Sequence, residues 1–206
     1  MKTWIWSNLL VVLVSLSFVP AAIALQTDPD GIIDDASKQL LVTLKQESAR
    51  FNSNPQGLYN KIRTQMRPIT DIAAIAKGIM GSYYKVATAS QQQRFKVAFE
   101  QSLVKVYSDS LMKVRVKGFK VRAAPALSSN ARKRKVVVEV STHKGNTFLV
   151  SYSLLRNRQN KWLIRNIVAD GVNFGLTYRN QFKSEMARSG NNMDQVIDNW
   201  AKVIKK

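Results

Sequence analysis

The hydrophobic period of this chain changes twice, and those two changes restrict the fold more than any other feature. From Ile33 to Leu111 apolar residues recur at three- and four-residue steps; from Val114 to Ile167 they alternate; beyond Leu176 the helical spacing returns. Ile33, Ala36, Leu40, Leu41 and Leu44 share one helical face. After a loop at Asn52–Gly57, Leu58, Ile62 and Met66 mark a second helix, which Pro68 ends or restarts. Asp71 is placed to cap a third, carrying Ile72, Ile75, Ala76 and Ile79. The clearest helix runs from Ser90 to about Lys113, with Phe95, Phe99, Leu103, Val106, Tyr107 and Leu111 in one stripe. Thr88-Ala89-Ser90 supplies it with a hydroxyl N-cap.

Four strand-like runs follow: Val114, Val116 and Val121; Val136, Val138 and Val140; Phe148, Val150, Tyr152 and Leu154; and Trp162 to Ile167. Gly118 interrupts the first alternation and signals a bulge. Lys144-Gly145-Asn146 and Asn157–Asn160 are turn-like, so the strands are expected to join as antiparallel hairpins. Two helices close the chain, Leu176 to Ser189 and Met193 to Ile204, separated by Gly190 and Asn191. The order predicts an α+β domain: a curved four-stranded antiparallel sheet with helices packed on one face. Gly78 and Gly81, three apart, offer bare backbone for close packing against another element or for a smooth wall beside a ligand.

The N-terminus reads as an export signal. Lys2 precedes an apolar run from Leu9 to Val19, Pro20 ends it, and Ala22-Ile23-Ala24 presents small residues to a signal peptidase. Cleavage after Ala24 would make residues 1–24 a signal peptide and residues 25–206 a single domain. The run is short of the ~20 residues a membrane span needs. With no cysteine, disulfides, thiolate metal sites and a cysteine nucleophile are excluded, and an exported chain without disulfides fits a bacterial envelope. Thirty-two Lys and Arg oppose 13 Asp and Glu, a field that attracts anionic surfaces. For an exported chain those are phospholipid headgroups or an acidic protein, not nucleic acid.

Nothing in the sequence assembles into a catalytic constellation. His143 is the only histidine and sits beside a turn; there is no nucleophile elbow and no phosphate-binding glycine loop. Asp34-Asp35 reads as helix-start charge, and Asp170-Gly171 as a turn or cap where the last strand ends. The run Arg132-Lys133-Arg134-Lys135 is placed in the loop between the first two strands, as solvated charge or as a contact for anionic groups. The chain is therefore read as a non-enzyme with no cofactor and no metal.

Two blocks carry a family resemblance. The first is Gly78-Ile-Met-Gly81-Ser-Tyr-Tyr84-Lys-Val-Ala-Thr88-Ala-Ser-Gln91-Gln-Gln-Arg94-Phe95, followed by Phe99, Leu103 and Tyr107. The second is Trp162-Leu-Ile-Arg-Asn-Ile-Val-Ala-Asp170-Gly171-Val172-Asn-Phe174-Gly-Leu176-Thr-Tyr178-Arg179-Asn-Gln181-Phe182. Their order and spacing resemble the MlaC family, the toluene-tolerance, periplasmic phospholipid-binding proteins, over roughly Ile33 to Ile204. The strong basicity is a departure from the pattern and bears on the partner-facing surface.

The resemblance implies a periplasmic carrier that shuttles glycerophospholipid between inner and outer membranes. Its partners would be an inner-membrane ABC transporter complex and an outer-membrane lipoprotein–porin complex, with transient membrane contact and a monomeric state. It further implies a nuclear-transport-factor-like fold with acyl chains in an apolar pocket between sheet and helices, and phospholipid as cargo. Candidate lipid-binding residues are Val172, Phe174 and Leu176 from the second block; Phe119, Phe148, Val150, Tyr152 and Ile164 from the sheet; and Met80, Tyr84, Leu103, Val106 and Tyr107 from the helices. The competing reading is a ligand-free docking module with a basic surface, its interior filled by side chains.

Overall fold

A computed structural model describes residues 28–122 and 132–202, and in it each change of period marks a change of element. The expected export segment, together with Val203 and Ile204, lies outside the described residues.

The first helix, α1 (Pro29–Glu47), is started by Asp28, whose carboxylate accepts from the backbone N–H of Asp30 and Gly31. The second, α2 (Pro55–Met66), begins three residues before Leu58. Asn54 caps it at the N–H of Gly57, and Pro55 takes the first helical position, where its missing N–H costs nothing. A short 3₁₀ turn, Arg67–Ile69, absorbs Pro68 and leads to α3 (Ile72–Met80). Asp71 caps α3 at Ala74, as its position predicts. A second 3₁₀ turn, Gly81–Lys85, precedes α4 (Ala89–Val114), which opens with a reciprocal capping box between Thr88 and Gln91.

The sheet follows as β1 (Val116–Arg122), β2 (Lys133–Thr142), β3 (Thr147–Arg156) and β4 (Trp162–Ala169). A fifth, two-residue strand, β5 (Val172–Asn173), was not foreseen. Neighbours pair antiparallel in sequence order, and the sheet stays open. The β4–β5 link is Asp170-Gly171, with φ of 47° and 79°, the two left-handed residues that a tight hairpin requires. Register breaks fall between Val116 and Gly118, where the bulge was expected, and between Ser153 and Leu154. Each adds local twist and curls the sheet. The chain closes with α5 (Phe174–Arg188) and α6 (Met193–Lys202).

Pairing sets one apolar sheet face. Val140 stands between Phe119 and Phe148, Val138 between Val121 and Val150, and Tyr152 between Val136 and Ile167. That face packs with α1 and α2 into one core that includes Leu44, Leu58 and Ile62. A second core is helical: α3, the first half of α4, α5 and α6 bury Phe95, Phe99, Phe182, Met186 and Trp200. Phe95 meets Phe182 edge-on at 4.8 Å and Trp200 at 5.3 Å, and the Trp200 indole donates to Ser102 Oγ at 3.1 Å. Helix α4 belongs to both cores and bridges them.

Two expectations change. Only Arg132 precedes the strand; Lys133, Arg134 and Lys135 open β2, and Arg134 is held by Asp30 at 2.6 Å. Gly78 is exposed, with open space where a Cβ would stand, so it is neither a packing contact nor a pocket wall. Gly81 is needed for its left-handed backbone, φ 58°, at the end of α3. No described helix is long and apolar enough to cross a membrane.

Candidate functional site

A cavity of about 660 Å³ lies where α4 passes from one core to the other. Its floor is the apolar sheet face, and the second half of α4 forms the wall opposite. Leu103, Val106, Tyr107, Leu111 and Val114 supply that wall, with Ile72 and Ile75 of α3 at one side and Phe174 and Tyr178 of α5 at another. Along β4 and into the turn after it the lining runs from Ile164 to Asp170, six residue steps or about 20 Å of extended chain. Exposed polar residues also line it, among them Arg67, Ser110, Asn146 and Asp170, so the cavity reaches solvent at those positions.

Local hydrogen bonds fasten the side walls to the sheet. The Asp71 N–H donates to the Ile164 carbonyl at 3.1 Å, and the Asp71 carboxylate pairs with Arg165 at 3.1 Å, which fastens the start of α3 to β4. On the other side Asn166 is the pin: its Nδ2 donates to Asn173 Oδ1, and its Oδ1 accepts the Gly175 N–H, both at 3.0 Å. A Cβ at Gly175 would approach Asn166 Oδ1 to 2.7 Å, so only glycine lets α5 start so close to β4. Asn173 also caps α5 at Leu176.

Arg67 grips Glu100 with two hydrogen bonds, of 2.7 and 2.8 Å, where α2 meets α4. Those bonds hold the Glu100 carboxyl below its usual range, against burial. Burial pushes the Tyr152 phenol up to about 12 and raises Tyr107 further; Tyr178 is raised by the same cause. The Tyr107 hydroxyl is shielded from solvent and meets the Tyr178 phenol, without a hydrogen bond of ordinary geometry between them.

The structure brings nine of the sequence-predicted residues together on the lining: Phe119, Phe148, Val150, Tyr152, Ile164, Leu103, Val106, Tyr107 and Phe174. Four are elsewhere. Met80 is buried in the helical core, and Tyr84 packs against that core with Lys77 over its ring. Leu176 is 55% exposed, because two residues beyond Phe174 is just over half a turn round the helix, away from the cavity. Val172 pairs opposite Ala169 on the cavity side of the sheet, but on the edge strand, where it is 48% exposed. Lining residues that the sequence reading left out include Ile72, Ile75, Leu111, Ile167, Ala169 and Tyr178. Leu111 was within reach, one further step of four after Leu103 and Tyr107. Ile167 and Ala169 were hidden by the register break, which shifts the alternation of β4.

Chemically, the arrangement suits hydrocarbon. The wall is aliphatic and aromatic, and no described cluster of three His, Asp or Glu side chains could hold a metal ion. His143 is exposed, its backbone N–H bonded to the Arg115 carbonyl.

Comparison with known proteins agrees with the geometry. A family model described as MlaC protein matches residues 34–202. The toluene tolerance protein ttg2D of Pseudomonas putida is 32% identical over 195 residues, covering 94% of this chain and 89% of the relative. The intermembrane phospholipid transport system binding protein MlaC of Haemophilus influenzae is 18% identical over 203 residues, covering 98% of this chain and 86% of its own. A phospholipid-binding protein from Ralstonia solanacearum, solved in complex with a phospholipid, superposes with a TM-score of 0.76 at 22% identity, over 87% of this chain and 99% of that one.

Proposed function

The chain belongs to the MlaC protein family, and from that premise we propose that it is a periplasmic phospholipid carrier that moves glycerophospholipid between the inner and outer membranes. The observation that carries this reading is the apolar cavity of about 660 Å³ between the sheet and α4. A cavity of about 150 Å³ accepts one benzene, so this one has room for on the order of 25 carbons. A two-chain lipid with about 30 methylenes, each worth about 0.8 kcal/mol, faces a barrier on the order of 20 kcal/mol to cross water unaided. A soluble shell around its chains removes most of that cost. The cavity's length also suits one leaflet's tails, since a bilayer core is about 30 Å thick and half of it is about 15 Å.

In this reading the tails lie between the sheet and α4, and the headgroup stays among the exposed polar residues of the rim. No bond is made or broken; loading and release follow from partition of hydrocarbon between two apolar environments. Residues 1–24 would direct export and be removed. The basic surface would steer the carrier toward anionic membranes and toward its partners, an inner-membrane ABC transporter complex and an outer-membrane lipoprotein–porin complex.

The test is native mass spectrometry of the protein purified without detergent, followed by lipid extraction. A mass excess recovered as glycerophospholipid is expected. A folded protein of clean apo mass, unchanged after incubation with liposomes, would instead favour the ligand-free docking module.

A further inference from the structure

Three phenols line the cavity: Tyr107 on α4, Tyr152 on β3 and Tyr178 on α5. Two of them are wedged by ring contacts. Tyr107 lies edge-on to Phe174 at 5.0 Å, and Tyr178 edge-on to Phe99 at 5.4 Å, so neither ring can swing its hydroxyl out to solvent without breaking packing. The Tyr107 hydroxyl is shielded from solvent, and the polar group it meets is the Tyr178 phenol, without a hydrogen bond of ordinary geometry. The hydrogen bond that Tyr107 and Tyr178 can share uses only one of their two O–H donors, leaving the other unmatched. An unmatched buried donor costs free energy that a ligand can recover by offering an acceptor.

What acceptor a lipid could offer follows from position. Phe174 lines the cavity at the start of α5, beside exposed Asp170 and Val172, which mark the rim. Tyr178 is one turn further along the helix, about 6 Å from Phe174 along its axis, and also lines the cavity. Hydrocarbon tails carry no acceptor, and a charged phosphate remains in water. Between them, at the head of each tail, stands the ester carbonyl.

We propose that Tyr107 and Tyr178 donate hydrogen bonds to the acyl-ester carbonyls of bound phospholipid, so that the pocket selects ester-linked over ether-linked chains. This rests on the carrier reading above. Burial raises both phenols, which keeps both donors protonated at any physiological pH.

The experiment is a competition, read by native mass spectrometry, between a diester phosphatidylglycerol and the diether phosphatidylglycerol with the same chains and headgroup. The delipidated parent protein is compared with a Tyr107→Phe/Tyr178→Phe double variant. The parent should favour the diester by about three- to tenfold, the range one net neutral hydrogen bond provides. The double variant, which keeps both rings and their packing, should bind the two lipids about equally. Equal binding by the parent would overturn the proposal and leave the carrier reading standing; this arm needs no variant to fold. So would an undiminished ester preference in the folded double variant. If neither lipid binds the parent, the carrier reading fails and the proposal with it.

Discussion

Ala169→Phe separates the cavity as a ligand site from the cavity as a packing defect. Ala169 lies on β4 opposite Val150, on the apolar sheet face, and lines the void. Phenylalanine there adds one phenyl ring, the size of the benzene that fills a cavity of about 150 Å³. That is roughly a quarter of the 660 Å³ available. Two effects follow with opposite signs. Burying the ring should stabilise the lipid-free protein by about 1.5–3 kcal/mol, which for a domain of this size raises Tm by about 3–12 °C. Room for about six carbons is lost at about 0.8 kcal/mol each, so lipid affinity should fall by about 5 kcal/mol, more than a thousandfold. The assay pairs thermal unfolding of delipidated protein, followed by circular dichroism, with lipid occupancy of protein purified without detergent. A higher Tm with parental lipid content would show that tails do not occupy this void. A lower Tm would show that the void is already filled in the lipid-free state.

The remaining expectations test the rim, the second core and the phenols. Val172→Glu should change folding stability by no more than about 0.5 kcal/mol, since the site is half exposed. It should nevertheless lower lipid occupancy, because it sets a charge on the cavity side of the edge strand; normal occupancy would remove Val172 from the site. Phe182→Ala, in the fully buried helical cluster, should cost about 3–5 kcal/mol of stability in a denaturant titration. The lipid carried per folded molecule should stay as in the parent, and a loss would mean that the two cores are coupled. Alkaline pH should destabilise the fold through its buried phenols. Their folded pKa values are raised, that of Tyr152 to about 12 from an ordinary 10. The folded state therefore holds protons that the unfolded state releases, so their contribution is complete below pH 10 and disappears as pH climbs to about 12 and beyond. Phenolate absorbance should show a late-titrating fraction that vanishes in denaturant.

Much of the architecture was legible because local chemistry and burial agree. Asp71, Thr88 and Gly118 each announce a cap or a bulge by residue type alone, and each is found there. The two-residue β5 was not legible, because an element that short has no period to read. Its signal was Asp170-Gly171, a pair that can equally end a strand, cap a helix or turn a hairpin. The start of α2 was misplaced for a similar reason. Asn54-Pro55 reads as loop, yet the same pair serves as N-cap and first helical residue.

The cavity was hardest to read, and α4 shows why. Its stripe from Phe95 to Leu111 is continuous in sequence, with nothing to mark a change along it. In the fold it is divided: Phe95 and Phe99 meet Phe182 and Trp200, while Leu103, Tyr107 and Leu111 face a void. An apolar face shows that water is excluded; what replaces the water depends on how far the opposite wall stands. Here polar side chains off the stripe fix the elements at the sides of the void. Asp71 with Arg165 fixes α3 to β4 on one side, and Asn166 with Asn173 and Gly175 fixes α5 to β4 on the other. Helices pinned in this way hold fixed positions at the sides of the void that the second half of α4 faces. The residues that make a hydrocarbon pocket possible are therefore not the hydrophobic ones alone. Substituting Asn166 would test α5's position more directly than any substitution in the lining.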